Sequence, residues 1–192
     1  GHDTIFGDDG SDIIRGGTGN DRIFGSVTLD FAPDKMFGED GHDVIFGGNG
    51  GDLLDGGNHN DQLNGDRGSD GLLGRNGNDT LDGGSGSDLL DGGSGANMLI
   101  GGGSSDVFRF RADARFTNVI KDWDFASSLG THDDFIMLEG INGVTSTADV
   151  FLTDTADGVF VQWGPDAAHL RGGVILQGVS SSQITASDFI FA

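Results

Sequence analysis

Residues 83–97 read GGSGSDLLDGGSGAN, two glycine-rich nonads in succession, the second with Asn97 where the first has Asp88. Glycines at positions one, two and four permit the positive φ angles of a tight loop and leave carbonyls unshielded. Working outward in this register, the unit recurs twelve times between residues 1 and 109. The first is partial, and one, GSVTLDFAPDKMF at 25–37, is stretched. Position eight is large and apolar in all twelve: Ile5, Ile14, Ile23, Met36, Ile45, Leu54, Leu63, Leu72, Leu81, Leu90, Leu99 and Phe108. Position six is acidic in eleven: Asp3, Asp12, Asp21, Asp34, Asp43, Asp52, Asp61, Asp70, Asp79, Asp88 and Asp106, with Asn97 the exception. Low-complexity glycine sequence has no reason to hold both positions in register for so long. The repeat therefore decides the fold.

Glycine marks the boundary of the repeat. Residues 1–109 hold 29 of the 37 glycines and 20 of the 31 acids. This divides the chain into a repeat segment, 1–109, and a non-repeating segment, 110–192. A formal charge of −21 lacks the basic face that nucleic-acid binding needs and points to a cationic partner. There is no cysteine, so no disulfide framework and no thiol chemistry. No stretch approaches the ~20 apolar residues of a membrane span. The chain opens at Gly1 in mid-pattern, which reads as a piece of something longer.

The nonads resemble the calcium-binding repeat G-G-x-G-x-D-x-U-x of the RTX family, unit by unit over residues 1–109. That resemblance implies an all-β fold, a parallel β-roll in which each nonad gives a turn and a short strand and two nonads make one coil. One inward side chain per nonad then makes a core one side chain thick on each side, too thin to hold the roll unaided.

With two nonads per coil, loops stack on two edges. One edge carries Asp3, Asp21, Asp43, Asp61, Asp79 and Asn97, and the other Asp12, Asp34, Asp52, Asp70, Asp88 and Asp106. Coils lie roughly 4.8 Å apart, so two columns of carboxylates repel unless a hard dication sits between loops. Ca²⁺, which takes six to eight carboxylate and carbonyl oxygens, fits that role. Six loops per edge leave five gaps, a ceiling of about ten ions. The gaps beside Asp34 are expected to be poor because of the stretched unit, and Asn97 offers no charge. His59 and Ser104 at position four are expected to strain their turns, and Arg75 departs from glycine at position two. Without calcium the repeats are expected to be expanded by their own charge, and calcium to trigger cooperative folding.

Residues 110–192 read as a β-rich cap: NVIKDW, DFIML, VFL, VFVQW and VILQG are short apolar runs separated by turn residues. Their order, ending in SSSQITASDFIFA, resembles the C-terminal region of type I secreted bacterial proteins such as serralysin-type proteases. The resemblance implies a cap on the roll's open end and an uncleaved export signal for an ABC-type channel. Asp122, Asp124, Asp133 and Asp134 read as solvated turn carboxylates, with one more calcium site as the alternative.

No H-E-x-x-H and no G-x-S-x-G occurs, so a catalytic domain is expected upstream rather than here. The histidines, including His2, His42 and His59, read as exposed loop residues. Arg109, Arg111, Arg115 and Lys121, with Trp123 beside them, read as bases that pair with acids at the roll's end; contact with an anionic polysaccharide is the alternative. Phe6, Phe24 and Phe46 at position nine are expected to form an outward ladder, docking an upstream domain or the inserted loop around Phe31. The resemblance thus implies a calcium-binding domain of a secreted, extracellular bacterial protein, with calcium, the type I machinery and an upstream passenger as expected partners. The alternative is a carbohydrate-binding module of a polysaccharide-modifying enzyme in which calcium is purely structural.

Overall fold

The nonads fold into coils of two short parallel strands. The computed structural model describes residues 1–111, 117–123, 134–141, 144–164 and 172–192. Odd nonads feed one sheet: β1 (Thr4–Phe6), β3 (Arg22–Phe24), β5 (Val44–Asn49), β7 (Gln62–Arg67), β9 (Thr80–Ser85) and β11 (Met98–Gly103). Even nonads feed the other: β2 (Ile13–Thr18), β4 (Lys35–Asp40), β6 (Leu53–Asn58), β8 (Gly71–Asn76), β10 (Leu89–Asp91) and β12 (Val107–Arg111). Pairing is parallel and keeps like positions together, as in Ile5↔Ile23, Ile45↔Leu63 and Leu54↔Leu72.

Both sheets continue past the last nonad. β13 (Thr117–Ile120) pairs parallel with β11, and β14 (Phe135–Glu139) with β12. β17 (Gly172–Gln177) adds to β13, and the antiparallel strands β16 (Gly158–Trp163) and β15 (Val150–Asp154) end the first sheet. β18 (Phe189–Phe191) from the tail lies parallel on β14 and ends the second.

Position eight supplies the core, with Ile23, Met36, Ile45, Leu54, Leu72, Leu81, Leu90, Leu99 and Phe108 fully buried. The same core runs on through Ile120, Trp123, Ile136, Leu138, Val161, Trp163 and Leu176. It widens there, as Phe108 meets Trp123 at 5.9 Å and Phe110 meets Trp163 at 5.2 Å between ring centroids. Aromatic residues thus fill the end of a roll that elsewhere is one branched side chain deep.

Position nine turns outward. Phe6, Phe24 and Phe46 stack at 5.0 and 5.1 Å with nearly parallel planes, and Phe6 is half exposed. The inserted loop projects elsewhere: Thr28 Oγ1 donates to Asp9, Asp30 accepts from the Gly10 amide, and Asn49 Nδ2 donates to the Thr28 carbonyl. Its side chains Val27, Leu29 and Phe31 stay largely exposed.

Candidate calcium-binding edges

Position six closes each turn and points its carboxylate back into it. On one edge the amide of each residue donates to the Oδ1 of the next in the series Asp3, Asp21, Asp43, Asp61, Asp79, Asn97, at 2.7–2.9 Å. On the other edge Asp12, Asp34, Asp52, Asp70, Asp88 and Asp106 form the same chain, at 2.7–2.9 Å. Each series brings together the residues that the alternation of loops assigns to that edge. Except for Asp3 and Asp12, all are at most 3% exposed.

One oxygen of each carboxylate is thereby satisfied, and the other is not. Asp12, Asp21, Asp34, Asp43, Asp52, Asp61, Asp70, Asp79, Asp88 and Asp106 each bury an Oδ2 with no hydrogen-bond partner. An unpaired buried polar oxygen is costly and calls for a missing partner. Its surroundings say which kind. A side chain at Gly47 would meet the Asp52 Oδ2 at 2.8 Å and the Gly65 carbonyl of the next loop at 2.7 Å. The same pairing of orphan oxygen and next-loop carbonyl recurs at Gly25, where Asp34 Oδ2 and the Gly47 carbonyl lie 2.6 and 2.5 Å away. Position one is glycine because that space belongs to oxygens converging from two loops.

Such a donor set, all hard oxygen and part carbonyl, fits Ca²⁺ rather than a nitrogen- or sulfur-seeking metal. Among the described residues no three acidic or imidazole side chains gather as a ligand group. Each loop instead contributes one carboxylate and relies on backbone for the rest. Burial pushes Asp52, Asp79 and Asp88 up to about 6, Asp70 to about 7, and Asp61 and Asp106 to about 8. Neighbouring carboxylates add to the rise at Asp61, Asp70 and Asp106.

The stretched unit leaves the carboxylate ladder whole. The Asp12 amide reaches Asp34 and the Asp34 amide reaches Asp52, both at 2.8 Å. A side chain at Gly48 would meet the Ser26 carbonyl and one at Gly50 the Ala32 carbonyl, so these two residues take positions two and four. The extra residues therefore replace a single position-three residue and loop outward. The turns of His59 and Ser104 do take positive φ, 79° and 91°, as does Arg75 at 73°. Asp8, Glu39 and Asp66 at position two do the same.

A second ladder was not anticipated. At position five the His2 Nδ1, Asn20 Oδ1, His42 Nδ1, Asn60 Oδ1 and Asn78 Oδ1 each accept the amide one coil on, at 2.8–3.1 Å. Histidine and asparagine share this place because both offer an acceptor at the same reach. The carboxylate ladders also run one rung further than the nonads, from Asn97 to Asn118 and from Asp106 to Asp134, each at 3.0 Å. NVI at 118–120 and DFI at 134–136 carry the position-six-to-eight pattern, but spacings of 21 and 28 residues hide it.

The basic cluster is engaged with acids. Arg109 pairs with Asp91 at 3.1 Å, and Arg111 with Asp91 at 3.5 Å and with Glu139 at 3.2 Å. Trp123 lies in the core rather than beside them. Lys121 is exposed. Arg115, Asp124 and Asp133 lie outside the described residues.

A family model for the RTX calcium-binding nonapeptide repeat matches residues 1–27, 37–72 and 73–108, just over half of the chain. The gap between the first two matches falls on the stretched unit. No curated protein sequence matches. Among solved structures, the extracellular lipase LipA from Serratia marcescens is similar over 96% of this chain, with a TM-score of 0.50 at 20% identity. The chain spans 39% of that lipase, and the likeness is one of fold. The AlgE6R3 subunit of the Azotobacter vinelandii mannuronan C5-epimerase aligns over 96% of this chain and 80% of its own, at 22% identity and a TM-score of 0.36. Repeat, ladder and family model agree, and the chain belongs to the RTX calcium-binding nonapeptide-repeat family.

Proposed function

We propose that this chain is the C-terminal calcium-binding roll of a type I secreted bacterial protein, folded by extracellular calcium after export. The observation that carries the reading is the row of buried, partnerless carboxylate oxygens on each edge. Where calcium is scarce these oxygens have no cation, and the ionised ladder opposes its own folding. Where calcium is plentiful each gap closes with an ion. Asp3, Asp12, Asp21, Asp34, Asp43, Asp52, Asp61, Asp70, Asp79, Asp88, Asn97 and Asp106 are the residues assigned to those gaps. A chain unfolded inside the cell threads a channel, and the same chain folded outside no longer slides back.

Residues 110–192 act as the cap and carry the export signal. Support for the cap comes from the way β13, β17, β16 and β15 in one sheet and β14 and β18 in the other continue the roll past its last nonad. The passenger whose folding the roll assists lies upstream and holds any catalytic site. The anionic-polysaccharide reading rested on Arg109, Arg111, Arg115 and Lys121 with Trp123. Arg109 and Arg111 are engaged in ion pairs and Trp123 is buried, whereas Lys121 is exposed and Arg115 lies outside the described residues.

The test has two arms. The hydrodynamic radius of the chain is measured in chelator and in millimolar calcium, and an unrelated passenger is fused to residues 110–192 in a host with a type I channel. A radius that falls sharply on adding calcium, with export of the passenger, is expected. An equal radius in both conditions removes the calcium gate, and a passenger retained in the cell removes the signal.

A further inference from the structure

The second sheet loses its regularity at β10. Its neighbour β8 runs through Gly71–Asn76, whereas β10 stops at Asp91 and rejoins β8 only by a bridge from Ser94 to Asn76. On the other side β12 runs straight on to Arg111, with Phe110 and Arg111 where most units place the first glycines of a turn. A notch of about 280 Å³ opens between the two, with Arg75 and Asn76 of β8 on one flank and Arg109 and Arg111 of β12 on the other.

The charges of this notch run against those of the molecule. Three arginines and one carboxylate line it, on a chain whose formal charge is −21. That carboxylate, Asp91, is 5% exposed and already committed, its Oδ1 to the Gly93 amide at 3.0 Å and its Oδ2 to Arg109 Nε at 3.1 Å. Asp55 holds Arg75 and Glu139 holds Arg111, and neither acid lines the notch. These contacts fix each guanidinium without exhausting it. Among the described residues Arg75 Nη1, Arg109 Nη1 and both Nη nitrogens of Arg111 have no hydrogen-bond acceptor. All three side chains are at least partly open to solvent.

We propose that this notch binds a tetrahedral oxyanion, a phosphate or sulfate group. Guanidinium groups donate in rigid forks that match such oxygens, and anchored forks lose little freedom on binding. One fork serves a planar carboxylate, whereas three forks carried by two flanking strands suit oxygens that lie in more than one plane. The lining has a surplus of two positive charges, which a doubly charged anion balances. None of the three arginines stands at position six, so the site is separate from the calcium edges and exists because the repeat ends here.

Isothermal titration calorimetry of the full chain in millimolar calcium tests the site with sodium sulfate, sodium acetate and phenyl phosphate at matched ionic strength. The wild type is expected to bind sulfate at one site and acetate much more weakly. Arg75→Gln and Arg111→Gln, both at solvent-accessible side chains, are each expected to weaken sulfate at least about tenfold, as loss of a charge-assisted hydrogen bond requires. Their circular dichroism in calcium is expected to match the wild type. Phenyl phosphate bound beside sulfate supports an ester-borne group, and sulfate bound without it supports the free anion. Acetate bound as tightly as sulfate overturns the tetrahedral ligand, and sulfate affinity unchanged in both variants overturns the notch as its place. A chain that binds calcium but no sulfate overturns this site and leaves the calcium reading standing.

Discussion

The acids of the roll and those of the segment after it are held in opposite ways. In the roll, the position-six carboxylates from Asp21 to Asp106 are buried, each with one oxygen unpartnered, and burial raises them to about 6–8 at Asp52, Asp61, Asp70, Asp79, Asp88 and Asp106. Further along, Asp149 accepts from the Thr145 and Ser146 amides, and Asp154 from the Ser181 amide and hydroxyl. Those donors hold both carboxyls below their ordinary range. Protein groups satisfy the second set, whereas the first set needs a cation. The cores differ in the same sense, since aromatic pairs fill the end of the roll and single branched residues fill its length. On the proposed function, the first set is the part whose folding depends on metal.

Protons should affect the two regions most unequally. In chelator burial raises Asp52, Asp79 and Asp88 to about 6, Asp70 to about 7 and Asp61 and Asp106 to about 8 when the roll is folded, against 3.8 for an ordinary aspartate. Between those limits the folded roll binds more protons than the unfolded chain. The resulting stability is full below about 4 and is lost as pH rises through about 8. Circular dichroism in chelator should therefore gain β signal as pH falls across that window. In calcium the dependence reverses, because protons compete for the same oxygens and the calcium midpoint climbs as pH falls. A flat response in chelator would erase the contrast between buried and partnered acids.

Core substitutions come next in size. Leu72→Ala should cost about 2–5 kcal/mol and Trp163→Ala about 3–5 kcal/mol when both are measured by denaturant unfolding in calcium. In chelator only Trp163→Ala should still change the signal, because Leu72 then has no folded roll to support. Equal effects of both in chelator would mean that the roll stands without metal.

Asp61→Asn makes a second rung like Asn97, keeping the Oδ1 acceptor and losing the orphan oxygen. With calcium at tenfold excess over its dissociation constant, loss of one site should cost about 1.4 kcal/mol. In chelator the same change should stabilise, since it removes a buried charge. Loss of stability in both conditions would show that the carboxylate serves packing rather than metal. His59→Gly should have the smallest effect, a gain of about 1 kcal/mol in the unfolding free energy measured with denaturant, because it relieves a left-handed φ of 79°.

What the sequence made legible follows from periodicity. Positions six and eight recur, so the two edges and the single-file core could be written down before any strand was placed. The stretched unit was expected to weaken both gaps beside Asp34, and the carboxylate ladder passes through it unbroken. Gly25, Ser26 and Ala32 present carbonyls there, and nothing in GSVTLDFAPDKMF marks that Ser26 and Ala32 keep the register. Asn118 was not singled out, and Asp134 was read as a solvated turn carboxylate, whereas it is buried as a further rung; both spacings depart from the repeat although the local pattern does not. Trp123 lies next in line to exposed bases yet packs on Phe108, since a widening core takes the largest side chain within reach. The position-five ladder was hidden by its chemistry, because histidine and asparagine look unrelated until each is seen accepting one amide.

The most direct test of the account is a far-UV circular dichroism titration of this chain with calcium from a chelated start at neutral pH. A steep, cooperative rise of β signal in the sub-millimolar to millimolar range is predicted, from a baseline that already contains the segment after the repeat. A spectrum with its full β signal in chelator, unchanged by calcium, would contradict the claim that the orphaned carboxylates make the roll's folding depend on metal.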